Sequence, residues 1–324
     1  METITRPAKA GTDPGPYYGS SSYFRRLAAN MKENYELYLF ILPAIAVIFI
    51  FNYIPMYGIQ IAFKSFVPSK GIAGSAWVGM DQFIRFFNSY QFWDLIKNTV
   101  TISLYSIAVG FPFPIILALM LNQVKHRRFR SFVQTVSYAP HFISVVVVVG
   151  MLLIFLSPTT GLVGIFIKAL GGTPIDFMGE PSWYQSLYVF SDVWQHTGWD
   201  SIIYFAALST IDTQLYDAAS VDGINKWQRV LYIDIPFLIP TVVILFILRT
   251  GSIMGVGFEK AFLMQNPLNM GVNEIIATYV YKIGIISSQY SYSAAIGLFN
   301  TVINFVFLMA VNKISKQAGN ISLW

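Results

Sequence analysis

The stretch DAASVDGINKWQRVLYIDIP, Asp217 to Pro236, sits between two long apolar segments and decides how the rest of the chain is read. It is too polar to cross a bilayer and too patterned to be a plain linker. Ala218 and Ala219 are small enough for another surface to approach the backbone, and Gly223 permits a turn. Ile224, Trp227 and Leu231 recur at helical spacing. Pro236 suits the first turn of a following helix, where its missing N–H costs nothing. The pattern predicts a short helix, a turn and an amphipathic helix. Such a helix either lies on a membrane surface or offers apolar anchors to a groove on a partner; the pattern fits both.

The flanking segments set the architecture. Downstream, Phe237 to Gly257 is apolar apart from Arg249; upstream, Trp183 to Thr210 is aromatic-rich and interrupted by Asp192 and Asp200. Further out, Leu37 to Phe63 runs without one charge, as does Asn98 to Val124. Ser131 to Ile167 is apolar chiefly from Phe142 to Leu156 and meets a turn signal at Ser157 to Gly161, and Ser291 to Asn312 is apolar again. Each is long enough, at about 1.5 Å per residue, for the roughly 30 Å hydrocarbon core. The expectation is an all-α membrane protein of six transmembrane helices.

Composition agrees. Of 324 residues 55% are hydrophobic and only 11% charged, against about 25% charged in soluble domains. With six spans both termini share a side, and 13 of the 21 Lys and Arg residues fall on it, against seven opposite and Arg249 within a span. Positive residues are retained inside, so the termini are expected in the cytoplasm. The net charge of +5 is then a topology signal rather than a nucleic-acid footprint. Residues 1–22 read as a mobile cytoplasmic tail, 23–36 as an interfacial helix, 37–312 as the transmembrane domain and 313–324 as a cytoplasmic C-terminal tail.

Several chemistries are excluded or unsupported. The chain has no cysteine, hence no disulfide, thiolate ligand or cysteine nucleophile. His126, His141 and His196 match no metal-ligand spacing, and neither G-x-x-x-x-G-K-[ST] nor G-x-G-x-x-G occurs. The chain is expected to hold no metal, no nucleotide and no catalytic site.

The Asp217 to Pro236 segment resembles the EAA loop of permease subunits of ATP-binding-cassette importers, E-A-A-x-x-x-G-x9-I-x-L-P. Asp217-Ala218-Ala219, Gly223, Ile233, Ile235 and Pro236 stand in register, with Asp217 for the usual Glu and Ile235 for the usual Leu. From about Phe24 onward the chain is similar to the oligosaccharide and polysaccharide branch, through Pro55-Met56-Tyr57-Gly58, Tyr138 to Ser144, Phe155 to Pro158 and Ile321 to Trp324. The resemblance implies a type I importer permease fold in a bacterial inner membrane, working by alternating access. It implies a homologous second permease, two ATPase subunits carrying ATP-Mg and an extracytoplasmic solute-binding protein as partners. The implied cargo is an oligo- or polysaccharide, an acidic one such as alginate being the narrowest expectation. It also implies an ATPase-coupling role for Asp217, Ala218, Ala219, Asp222, Gly223, Trp227, Ile233 and Pro236; helix capping is the other reading of Asp217 and Asp222.

Ionisable groups at membrane depth usually face the protein interior or a water-filled path. Asp192 and Arg249 lie at similar depth, roughly 12 to 14 Å from the outer ends of their spans. They are expected either to pair with each other, or Arg249 to meet a sugar carboxylate or to snorkel. Asp200, Trp194 and Trp199 complete the expected substrate path, the indoles as stacking platforms for sugar rings. Trp183 and Tyr184 read as interfacial anchors, and His196 as a packed or hydrogen-bonding residue. Gly110, Pro112 and Pro114 predict a kink, as does Pro43. The outer segment Phe258 to Gln289, with Ile275, Ile276, Tyr279, Val280 and Ile283 in helical phase, predicts either a docking surface for the binding protein or a lipid-facing helix. The rival functions are an ion-driven secondary transporter, which inverted repeats and midplane carboxylates would mark, and a non-transporting membrane scaffold. No repeat is seen.

Overall fold

The computed structural model describes residues 30–319 and 321–324. The expected tail, 1–22, and the start of the expected interfacial helix, 23–29, lie outside the described residues. The chain divides into two units, one ending at Gly58 and the other running from Ile59 to Trp324. In the first, α1 (Tyr35–Ile48) contains Pro43 and continues through a π-helical turn at Phe49–Tyr53.

The second unit opens with a two-stranded antiparallel hairpin, β1 (Lys64–Ser65) with β2 (Ala76–Trp77), and α2 (Asp81–Phe87). Then α3 (Phe92–Tyr105) passes through a π-helical turn at Ser106–Gly110 into α4 (Pro112–Asn122). The expected kink at Gly110 to Pro114 is this turn, whose wider winding absorbs the two prolines that follow. The run begins six residues earlier than the charge-free window, since Asp94 and Lys97 are helical.

The third span departs from expectation. Instead of one helix within Ser131 to Ile167, α5 (Arg127–Tyr138) continues as a 3-10 turn to Phe142 and meets α6 (Val145–Phe155) at a 96° bend. Pro140 cannot carry the helical hydrogen bond, and Ser144 restarts the chain as an N-cap, its Oγ accepting from the Val147 N–H at 3.4 Å. The Ile143 carbonyl freed by the break accepts from Gln195 Nε2 at 2.7 Å, as a backbone group deprived of water must.

After α7 (Leu162–Ala169) comes the central helix, α8 (Pro181–Leu208), then α9 (Thr213–Val221), α10 (Lys226–Arg229) and α11 (Ile235–Thr250). Three short helices, α12 (Phe258–Leu263), α13 (Met270–Asn273) and α14 (Ile276–Tyr281), precede α15 (Tyr290–Gly319). The last helix passes the expected end at Asn312, and the Leu323 N–H folds back to donate to Asn312 Oδ1 at 2.8 Å. Among the described residues four helical runs have the length and apolarity to cross a membrane, and the bent α5–α6 pair makes a fifth. Of the six expected, α8 has the length, 28 residues, but dilutes its apolarity with the polar side chains described below.

Around α8, Tyr184, Tyr188 and Val189 pack with Ile102, Val149, Ala261, Met264 and Ile275, and further along Tyr204 and Leu208 pack with Ala118 and Leu238. Gly198 lets α8 meet α5 closely: a Cβ there would fall on the Ser137 carbonyl. Small residues at such crossings admit backbone approach, which drives helix association where lipid offers no hydrophobic gain. Two expectations are corrected. Tyr184 is buried rather than interfacial, and Ile275, Ile276 and Tyr279 are buried in the core rather than turned to lipid. The periodic apolar face of the outer segment is large enough to be claimed by the span helices α3 and α15.

Candidate functional site

A polar chamber opens along one stripe of α8. Tyr188, Asp192, His196 and Asp200 follow one another at four-residue spacing and so project from one face. Opposite them stand Ser103 and Ser106 from the α3 run and Arg249 and Ser252 from the end of α11, enclosing about 300 Å³. An adjoining cavity of about 720 Å³ shares Asp192, His196, Asp200 and Arg249 and adds Phe111, Trp199 and Tyr204. The π-helical turn lends Ser106, Ile107 and Gly110 to these walls.

The expected Asp192–Arg249 ion pair is not formed. Asp192 Oδ1 lies 3.3 Å from His196 Nδ1 and 3.5 Å from Lys260 Nζ. Lys260 is buried on α12, donates to the Tyr188 carbonyl at 2.9 Å and has its ammonium 4.8 Å from the Tyr188 ring centre. A buried ammonium needs an anion and acceptors, and Asp192 is the carboxylate within reach. Arg249 is exposed into the chamber and makes no ion pair among the described residues. His196 is hydrogen-bonding, as read.

The two indoles part company. Trp199 lines the larger cavity with the His141 ring stacked on it at 4.4 Å and 2°. Trp194 lines neither cavity and is exposed, two positions from Asp192 and so on the far side of the helix. It stands outside both cavities. Lys260 and His141 fall outside the expected site: Lys260 lies in the outer segment Phe258 to Gln289, and His141, one of three histidines at no metal-ligand spacing, lies in the Tyr138 to Ser144 stretch. No group of three or more His, Asp and Glu side chains that could hold a metal occurs among the described residues.

The second site is the expected coupling segment. The N-cap of α9 is Asp212, whose Oδ1 accepts from the Gln214 N–H at 2.9 Å, so N-capping does not explain Asp217, which lies within the helix, whereas Asp222 stands at its C-cap. Asp217 and Ala218 are exposed on α9, and Ala219 is buried beneath them. Asp222 ends the helix and Gly223 turns the chain at φ +72°. Asn225 and Gln228 form a reciprocal capping box on α10. Trp227, 78% exposed, and Leu231 present apolar surface, Ile233 is half-buried, and Pro236 stands in the first turn of α11. The helix, turn and helix match the sequence reading.

The family model described as the binding-protein-dependent transport system inner membrane component matches residues 110–317. The polygalacturonan/rhamnogalacturonan transport system permease protein YteP of Bacillus subtilis (strain 168) is 40% identical over 91% of this chain and 92% of its own length. Protein LplB of the same organism is 39% identical over 89% and 91%. Among solved structures, a chain of a bacterial ABC transporter involved in the import of the acidic polysaccharide alginate superposes with a TM-score of 0.84 at 39% identity, covering 91% of this chain and 99% of that one.

Proposed function

Because this chain belongs to the family of inner-membrane components of binding-protein-dependent transport systems, being a carbohydrate ABC transporter permease, we propose that it forms half of the path by which an acidic oligo- or polysaccharide enters the cell. A homologous second permease supplies the other half. Two ATPase subunits holding ATP-Mg grip the α9 to α10 segment from the cytoplasm, where both termini also lie, and an extracytoplasmic solute-binding protein delivers the sugar. Exposed Asp217, Ala218 and Trp227 beside the Gly223 turn support the docking reading of that segment over the membrane-surface one.

Arg249 carries the acidic-sugar reading. Its guanidinium faces the chamber free of an ion pair among the described residues, and a planar fork of donors fits a uronate carboxylate. The cargo named for YteP and for the alginate transporter is of that chemistry. Trp199 offers a ring for a sugar's C–H face, and Asp200 acceptors for its hydroxyls. The secondary-transporter and scaffold readings find no support.

The test is a mild-detergent pull-down of the tagged chain with mass spectrometry of what accompanies it, followed by titration of the recovered solute-binding protein with neutral and acidic oligosaccharides. A second permease and an ATPase are expected, with preference for uronate oligomers. Recovery of the chain alone after cross-linking would overturn the importer assembly, and preference for neutral sugars would overturn the cargo.

A further inference from the structure

Behind the exposed face of α9 lies a polar cluster that the transport path does not use. The π-helical turn Val230–Asp234, which joins α10 to α11, buries one residue, Asp234, and buries it completely. Its Oδ2 accepts from Gln123 Nε2 at 2.7 Å and its Oδ1 from the Tyr216 hydroxyl at 2.7 Å. The same hydroxyl accepts from Asn122 Nδ2 at 3.2 Å, and the Arg229 guanidinium lies 3.9 Å over the Tyr216 ring. Four segments thus meet at one carboxylate: the inner end of α4, the middle of α9, the end of α10 and the root of α11. Burial pushes the Tyr216 phenol above its ordinary range, so it remains a donor.

Tyr216 directly precedes Asp217, so the residue tied into the cluster and the residue offered to the cytoplasm are chain neighbours. A nine-residue helix has little stability of its own. Pushed at its exposed face, α9 would pivot on the Gly223 turn and the Ser209 to Ile211 connection before moving a membrane helix, unless something behind it resisted. We propose that Asp234 is a positioning residue that clamps α9 to α4 and α11, so that a displacement delivered to the coupling segment moves both transmembrane helices instead of bending the loop. This rests on the reading of α9 as the ATPase contact.

The assembled complex, with both permeases, ATPases and loaded binding protein in vesicles, reads the clamp as ATP hydrolysed per sugar translocated. Asp234→Asn keeps the shape but loses the charge, Gln123→Met removes the α4 partner, and Tyr216→Phe removes the hydroxyl while leaving the ring under Arg229. Each is expected to retain the ATPase in the complex and to raise ATP consumed per sugar at least threefold. A merely structural role would lower the yield of complex without changing that ratio. Ala218→Arg, which crowds the exposed face, is expected to release the ATPase. Wild-type ratios in Gln123→Met and Tyr216→Phe, with Ala218→Arg releasing the ATPase, would overturn the clamp alone. Undisturbed binding and coupling in Ala218→Arg would overturn the docking reading itself. If Asp234→Asn fails to assemble, the other two substitutions decide.

Discussion

Lys260 Nζ stands 3.5 Å from Asp192 Oδ1, joining α12 to α8 across 68 residues of sequence. Lys260 is almost wholly buried while Asp192 keeps part of its side chain in the chamber. Removing one member of a buried pair leaves the other charge uncompensated, an effect larger than the net value of the pair. Lys260→Met should therefore destabilise the protein by about 1 to 3 kcal/mol, less than for a fully buried pair because Asp192 is partly solvated. Thermal unfolding in detergent checks this, and Asp192→Asn added to Lys260→Met should recover much of the loss. An unchanged midpoint in the single variant would refute the pairing as a stability element.

Arg249 predicts selectivity rather than stability. It makes no ion pair among the described residues and is exposed, so Arg249→Gln should leave unfolding within about 0.5 kcal/mol of wild type, as for surface changes away from networks. Loss of a hydrogen bond to a charged group, about 1.5 to 3 kcal/mol, should slow uptake of uronate oligomers roughly tenfold to a hundredfold. Neutral oligosaccharide flux should change little. Equal slowing of both sugars, measured in vesicles with the same binding protein, would rule out a carboxylate contact.

Gly198 tests the crossing that holds the broken third span. A methyl group at this position meets the Ser137 backbone carbonyl, which no side-chain rotation relieves. Gly198→Ala should cost about 1 to 3 kcal/mol, as overpacking does, and should weaken the Gln195 to Ile143 hydrogen bond one helical turn away. Faster amide exchange across residues 139–147 than in wild type is the expected readout. Unchanged exchange and stability would mean that α5 and α8 slide apart without cost.

The coupling segment was legible because its signals are local: Gly223 and Pro236 each impose backbone geometry on their own neighbourhood. Asp234 sat inside the same quoted stretch and passed unnoticed, since its partners Gln123 and Tyr216 belong to other elements. The Asp192–Lys260 contact was invisible for the same reason. Arg249, the nearest basic residue in membrane depth, was the only partner that span arithmetic could offer. Trp194 is a different case. Depth selected it, whereas the four-residue phase from Tyr188 through Asp200, readable in the sequence, already turned it away from the chamber. At the third span, Pro140 and Ser144 announced the break, but the apolar residues on both sides of them, taken together within Ser131 to Ile167, are long enough for one crossing.

Gly223 separates backbone strain from crowding. Its φ of +72° lies in the left-handed region, and a Cβ there would meet nothing within 4 Å. The cost of substitution is therefore conformational, about 1 to 2 kcal/mol for an ordinary residue. It is smaller for Asn, whose short polar side chain tolerates that region, and larger for a β-branched residue. Gly223→Asn should keep most of the ATPase stimulation by loaded binding protein, Gly223→Ala should lose part of it, and Gly223→Val should abolish it while the chain stays in the membrane. The order matters more than any single value, because a steric contact with the ATPase would rank the variants by volume and place Ala ahead of Asn. Measured stimulation following Ala, then Asn, then Val would assign Gly223 to the contact surface; the order Asn, Ala, Val assigns it to the turn.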